Sequence, residues 1–239
     1  MRKYYESEHG VLYCGNAEEL DLPNNVADTI ITDPPYGVSY NSGRRQASFE
    51  NIEGDDSLAI GKSVLEKMIR GPLKRYRHAY AFGSPNFVHH EGLTREPVEL
   101  IWDKGSMSMG DLKLPYGKSH EHIYMTVAVR SKSNIEKGEG RLAARMRQGS
   151  VLRVPRVNAA AVTKHPTQKP TLLLRMLIES STVIGETVLD PFVGSGSTAV
   201  AAILSGRKYI SCEMSEEYCE IAKQRIQAAE KAIKSISKM

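Results

Sequence analysis

The residues of this chain best suited to chemistry lie in two short runs far apart in the sequence. The first is Asp33-Pro34-Pro35-Tyr36, directly after the apolar run at residues 27–32. Consecutive prolines fix φ, and the residue before each is pushed into an extended conformation, so the Asp33 carboxylate and the Pro34 carbonyl are held in set directions. Two acceptors side by side, the Asp33 carboxylate and the Pro34 carbonyl with Pro35 fixing the turn, suit the activation of an exocyclic amine on a nucleobase. Such an amine is a poor nucleophile because its lone pair is delocalised into the ring. Acceptors for its two N–H bonds favour a pyramidal nitrogen with the lone pair freed toward an electrophile. The Asp33 charge also stands where positive charge develops in the transition state. Tyr36 offers a stacking face, which a base flipped out of a duplex needs. The blander reading is a rigid Asp-Pro-Pro turn beside a packed tyrosine.

The second run is Asp190-Pro191-Phe192-Val193-Gly194-Ser195-Gly196-Ser197-Thr198-Ala199. Gly194, Gly196 and Ala199 match the G-x-G-x-x-G/A turn of dinucleotide sites, and Glu213 ends the next strand about where a ribose-binding acid belongs. No Lys follows the second glycine as a phosphate-binding P-loop demands. The turn implies a nucleoside cofactor and fits a nicotinamide as well as S-adenosylmethionine.

Both runs need strand ends to hold them. Apolar runs of strand length (residues 11–14, 27–32, 78–83, 98–102, 123–129, 187–190 and 208–213) alternate with helical patterns at 58–76, 171–181, 197–205 and 216–236. That alternation predicts an α/β fold, a doubly wound and mostly parallel sheet whose ligands sit at the carboxyl ends of the strands. Ser215 is the expected N-cap of the last helix. Residues 37–56, 103–119 and 131–164 lack clear periodicity and read as loops.

The pairing of Asp33-Pro34-Pro35-Tyr36 with the later Asp190-Pro191-Phe192-Val193-Gly194-Ser195-Gly196 resembles the amino-DNA methyltransferases of the beta group, in which the catalytic motif precedes the cofactor motif. The resemblance covers nearly the whole chain. His165-Pro166-Thr167-Gln168-Lys169-Pro170 is similar to the group's lead-in segment, and Arg207-Lys208-Tyr209-Ile210-Ser211-Cys212-Glu213 to the strand whose closing acid takes the ribose hydroxyls. The resemblance implies a Rossmann-like S-adenosylmethionine-dependent fold with circularly permuted motif order, and direct methyl transfer to the N6 of adenine in double-stranded DNA. Asp33, Asp190, Phe192, Gly194, Gly196, Ser197, Thr198 and Glu213 would hold the cofactor, with Thr167 and Lys169 near its methionine part. At Gly15-Asn16-Ala17 the group more often has Gly-Asp, the acid touching the cofactor adenine; here Asn16 and Ala17 occupy that place, and an amide still accepts and donates hydrogen bonds. The resemblance further implies that dimers are common and allows a cognate restriction endonuclease. N4-cytosine methylation uses the same chemistry, though Asp as the first motif residue leans toward adenine. A non-catalytic DNA-binding subunit and an NAD-dependent oxidoreductase are the rivals from other classes; the second leaves Asp33-Pro34-Pro35-Tyr36 unexplained.

At the scale of the whole chain, 239 residues suit a single methyltransferase domain, with residues 131–164 as a small target-recognition insertion. Residues 130–175 carry eleven Lys or Arg against two acids, Glu136 and Glu139, a local field suited to a polyanion. Arg44 and Arg45, after the first motif, and Arg141, Arg145 and Arg147 are the candidate DNA contacts, with solvated loop or helix arginines as the alternative. Trp102-Asp103-Lys104-Gly105 resembles an active-site loop entry of the same group. His89-His90 and His120-x-His122 lack neighbours at zinc-site spacing, so no metal is expected. Cys14, Cys212 and Cys219 read as reduced. No run is long enough to span a membrane and no signal peptide is evident, so a cytoplasmic protein is expected.

Overall fold

The computed structural model describes residues 1–35, 56–107, 113, 115–129, 148–156 and 168–236. Among these residues nine strands form one sheet: β1 (Arg2–Ser7), β2 (Gly10–Cys14), β3 (Ala27–Thr32), β4 (Leu73–Phe82), β5 (Val98–Asp103), β6 (His120–Val127), β7 (Val151–Arg153), β8 (Thr187–Asp190) and β9 (Lys208–Glu213). Four helices accompany them: α1 (Asp56–Arg70), α2 (Thr171–Ser181), α3 (Ser197–Leu204) and α4 (Glu216–Ile236). The sheet order is β1-β2-β9-β8-β3-β4-β6-β5-β7. From β2 to β4 all neighbours run parallel, β1 and β6 are antiparallel to theirs, and β7 runs parallel to β5.

Helices lie on both faces. Leu173, Leu174, Leu177 and Ile178 of α2 join Ala199 to Ile203 of α3 and Ala222, Ile226 and Ala229 of α4 in one core cluster. Val64, Leu65, Met68 and Ile69 of α1 build the other, with Phe87 and Val88. All six residues of β3 are buried, as expected of a strand covered on both sides. The helical spacing of α4 is satisfied by this arrangement, and Ser215 Oγ accepts from the Tyr218 amide at its start.

The chain leaves β3 toward β4 on one side and β8 toward β9 on the other. The adjacent pair β3–β8 is therefore the point where the winding reverses, the place where open α/β sheets bind ligands. Two segments differ from the sequence reading. The helix expected over 58–76 stops at Arg70, because Gly71-Pro72 cannot continue it, and β4 starts at Leu73. Residues 151–153, inside the segment read as a recognition insertion, form an edge strand, with Leu152 and Val154 buried. The β1 strand is likewise absent from the sequence reading; its Arg2, Lys3 and Glu6 make it polar as edge strands often are.

Candidate active site

Thr32 ends β3 and Asp190 ends β8. The Thr32 hydroxyl donates to Asp190 Oδ1 at 2.7 Å, closing the crevice floor between the two motifs. Asp33 follows at once, part-exposed, with Pro34 buried and Pro35 exposed. Gly61 of α1 allows Pro34 to sit close: a Cβ there would fall 3.2 Å from Pro34 Cβ and 2.9 Å from the Phe87 ring. Tyr36 lies outside the described residues.

The Asp33 carboxylate has a cation against it. Lys169 Nζ donates to Asp33 Oδ2 at 2.5 Å and also lies 3.3 Å from Glu121 Oε2. Glu121 is the second residue of β6, directly opposite Trp102 in the register, and its Oε1 accepts from Lys104 Nζ at 2.5 Å. Two aromatic rings floor this cluster: Lys169 Nζ is 4.7 Å from the Phe82 centroid and Lys104 Nζ is 5.1 Å from that of Trp102. Phe82 and Trp102 meet edge to face. Both lysines are buried. Burial alone pushes the Glu121 carboxyl up, but Lys169 and Lys104 outweigh it and hold the group below the ordinary carboxylate range.

On the β8 side, Asp190 is fully enclosed. Burial pushes its carboxyl up to about 6, opposed by hydrogen bonds from Thr198 and Thr32 and from the Phe192 amide, and assisted by the nearby Asp33 charge. Its oxygens shape the turn from inside. Glu213 Oε2 accepts from the Gly194 amide and Oε1 from the Ser215 amide, both at 2.9 Å, so the acid pins the glycine turn to the end of β9. Burial raises its pKa, while the amides of Ser215, Gly194 and Met214 oppose the shift. With three amides on its two oxygens, the carboxylate keeps acceptor capacity for a ligand hydroxyl.

Gly196 caps α3 with φ +83°, and a Cβ there would come within 2.9 Å of Ala222 on α4. Only glycine meets both demands. Arg225 of α4 reaches back and donates to the Ser195 carbonyl, to Ser195 Oγ at 2.9 Å and to Ser197 Oγ at 3.2 Å. The Ser197 and Thr198 side chains are thus engaged within the fold, and what faces outward at this turn is backbone N–H at the start of α3. At the end of β2, the Gly15 amide donates to the Glu213 carbonyl, and Asn16 Oδ1 caps the short turn at Ala17–Glu19 by accepting from Glu18 N. Ala17 is buried.

The structure brings Asn16, Ala17, Asp33, Pro34, Pro35, Lys169, Asp190, Phe192, Gly194, Gly196, Ser197, Thr198 and Glu213 to one end of the sheet, at the ends of β2, β3, β8 and β9 or in the segments that follow or cross them. Lys169, expected near the cofactor's methionine part, pairs with Asp33. Thr167, Arg44, Arg45, Arg141, Arg145 and Arg147 lie outside the described residues. Glu121, Phe82 and Arg225 were not singled out from the sequence. The signal for Arg225 is a charged residue at an apolar position of α4; Glu121, two residues before the buried Ile123, carries none. The donor set fits a ribose-bearing cation: a half-buried carboxylate at Glu213, the helix-start amides of α3, and a carboxylate at Asp33. Among the described residues no group of three or more His, Cys, Asp or Glu is placed to hold a metal, no helix is long and apolar enough to cross a membrane, and all three cysteines are free. His122 Nδ1 instead meets Glu99 Oε1 at 2.8 Å, and His90 lies buried against the Phe87 carbonyl.

The family model described as DNA methylase, N6_N4_Mtase, matches residues 27–224, and the chain belongs to this family of DNA methyltransferases. Among its relatives, the type II methyltransferase M2.MboI of Moraxella bovis is 39% identical, over 94% of this chain and 91% of that protein. The DNA adenine methyltransferase YhdJ of Escherichia coli K12 is 28% identical, over 89% and 80%. Two solved structures share the fold: the M1.HpyAVI–SAM complex, with a TM-score of 0.60, 24% identity and coverage of 90% of this chain and 98% of that one, and the cytosine-N4-specific PvuII DNA methyltransferase, with a TM-score of 0.66, 19% identity and coverage of 93% and 88%.

Proposed function

We propose that this DNA methyltransferase moves a methyl group from S-adenosylmethionine to the N6 amino group of adenine in double-stranded DNA. The observation that carries the reading is the Asp33 carboxylate at the end of β3, beside the strand whose glycine turn and Glu213 suit a nucleoside. When bound, S-adenosylmethionine supplies an electrophilic methyl group on a sulfonium sulfur. Glu213 and the α3 amides would hold its nucleoside part, with Asn16 and Ala17 beside the adenine.

Asp33 and the Pro34 carbonyl accept the two amine N–H bonds and localise the nitrogen lone pair. With that cofactor bound, the N–C bond would form as the S–C bond breaks and a neutral thioether would leave, the nitrogen passing one of its protons by way of Asp33 to solvent. The base is flipped into the cleft to reach them. Asp as the first residue of Asp33-Pro34-Pro35-Tyr36 supports adenine, as do relatives such as YhdJ, described as an adenine methyltransferase. Residues 131–164, with their basic charge, form the target-recognition segment in this reading, anchored to the sheet through β7.

Incubation with methyl-labelled S-adenosylmethionine and unmethylated mixed-sequence DNA, followed by nucleoside digestion and mass spectrometry, is expected to yield N6-methyladenine. N4-methylcytosine in its place would overturn the adenine assignment. Asp33→Asn is expected to lower kcat by roughly 100-fold or more, the scale of losing one transition-state electrostatic partner.

A further inference from the structure

We propose that Glu121 is a positioning residue that takes Lys169 over from Asp33 as the target amine arrives; this rests on the assignment of Asp33 as the acceptor for that amine. In the structure Lys169 is shared, 2.5 Å from Asp33 Oδ2 and 3.3 Å from Glu121 Oε2. Glu121 Oε1 is fixed by Lys104, whereas the buried Oε2 meets the Lys169 ammonium at 3.3 Å without the alignment of a full hydrogen bond. A buried carboxylate oxygen left without a donor is costly, and an ammonium carries three donors, so a small turn of Lys169 satisfies Oε2.

The surroundings permit the exchange. The Phe82 face under Lys169 attracts a cation in either position and makes no directional demand on it. Asp33, Glu121, Lys104 and Lys169 sum to zero charge, and moving the ammonium between the two acids leaves the cluster neutral. Asp190 stands behind Asp33, so the acid side of the cleft keeps a further carboxyl when Lys169 moves away. With Lys169 on Oδ2, one acceptor atom of Asp33 is occupied and its charge offset; with Lys169 on Glu121, the full charge faces the amine.

Three variants of the full chain test this, each checked by circular dichroism. Glu121→Gln removes the receiving charge but keeps the shape; kcat is expected to fall roughly tenfold or more, with KM for DNA within about twofold. Its calorimetric affinity for S-adenosylmethionine without DNA is expected to stay within about twofold of the parent. Lys104→Met breaks the same pair from the other side yet leaves the Glu121 charge for Lys169, and is expected to lower kcat only about threefold. Should Glu121→Gln not fold, Glu121→Asp replaces it in the comparison, its shorter reach again giving a kcat below that of Lys104→Met. Equal kcat losses for the two ends of the pair, or parent-like turnover in Glu121→Gln, overturn the inference. An active Asp33→Asn variant overturns the base-binding reading itself, whereas an inactive one beside a fully active Glu121→Gln overturns this inference alone.

Discussion

Asp33 and Asp190 close adjacent strands, yet their surroundings drive them apart. Asp33 faces the cleft with a lysine against it, while Asp190 is sealed among Thr32, Thr198 and the Phe192 amide. The carboxyl of Asp190, pushed up to about 6, makes it a sensor of pH for the fold. The unfolded chain releases that proton near the ordinary aspartate value of about 3.9, so between the two values the folded state binds more protons and stability falls as pH rises. The stabilisation is fully present below about pH 4 and is lost by about pH 6 to 7, on the order of 3 kcal/mol in all. Asp190→Asn keeps an acceptor for Thr32 and Phe192 and has no charge to bury. Urea unfolding is therefore expected to show the variant gaining on the parent as pH rises from about 5 to about 8; a constant difference across that range would refute the assignment. The places of Asp33, Gly196 and Glu213 at strand ends and at the glycine turn were legible from residue type and order alone. Glu121 was not, since a partner formed by a lysine nearly fifty residues away leaves no local mark.

At the scale of elements, strand and helix existence followed from periodicity, and the errors fell where a local signal was overridden. Residues 73–76 carry on a helical pattern, but Gly71-Pro72 ends α1 and hands them to the sheet. The β7 strand is three residues long and is held by β5 and by the bond from Trp102 Nε1 to the Val154 carbonyl at 2.7 Å, a long-range contact with no periodic trace. Gly61 shows how an element positions the site. Ala would raise the helix propensity of α1 by about 1 kcal/mol. The added methyl would meet the fully buried Phe87 ring at 2.9 Å and Pro34 at 3.2 Å, and forcing volume into a packed site costs roughly 1–3 kcal/mol. Packing wins because Phe87 has no room to retreat. Gly61→Ala is expected to be less stable by about 1 kcal/mol in urea unfolding, with kcat reduced further than the folded fraction explains, because Pro34 carries one of the two acceptors. A variant more stable than the parent would show that the ring yields.

Across the whole molecule, stability and chemistry occupy opposite ends of the sheet. The carboxyl ends of β3, β8 and β9 hold Asp33, the glycine turn and Glu213. The amino ends are tied by buried charge. Asp28 of β3, 2% exposed, accepts from Lys74 of β4 at 2.7 Å and from the Thr187 amide of β8 at 3.0 Å, with Arg77 3.1 Å away. Arg77 in turn grips both oxygens of Glu186, whose Oε2 also accepts from the Val183 amide. Three neighbouring strands are thereby held in register at the pole away from the cleft, which leaves the ligand end free to carry acids that destabilise the fold. Removing one member of such a buried set strands the others: Asp28→Ala leaves Arg77 short of an anion and the Thr187 amide unpaired, at a cost of roughly 3–5 kcal/mol. Its turnover below the unfolding transition is expected to stay near the parent's, because nothing at the carboxyl ends is touched. Asp33→Asn is expected to behave in the opposite way, losing activity while staying near the parent in stability, since Glu121 still pairs with the Lys169 ammonium. Paired urea unfolding and methyl-transfer assays on the two variants check this division, and an Asp28→Ala protein that unfolds like the parent, or one whose folded fraction is inactive, would show that the two poles are not independent.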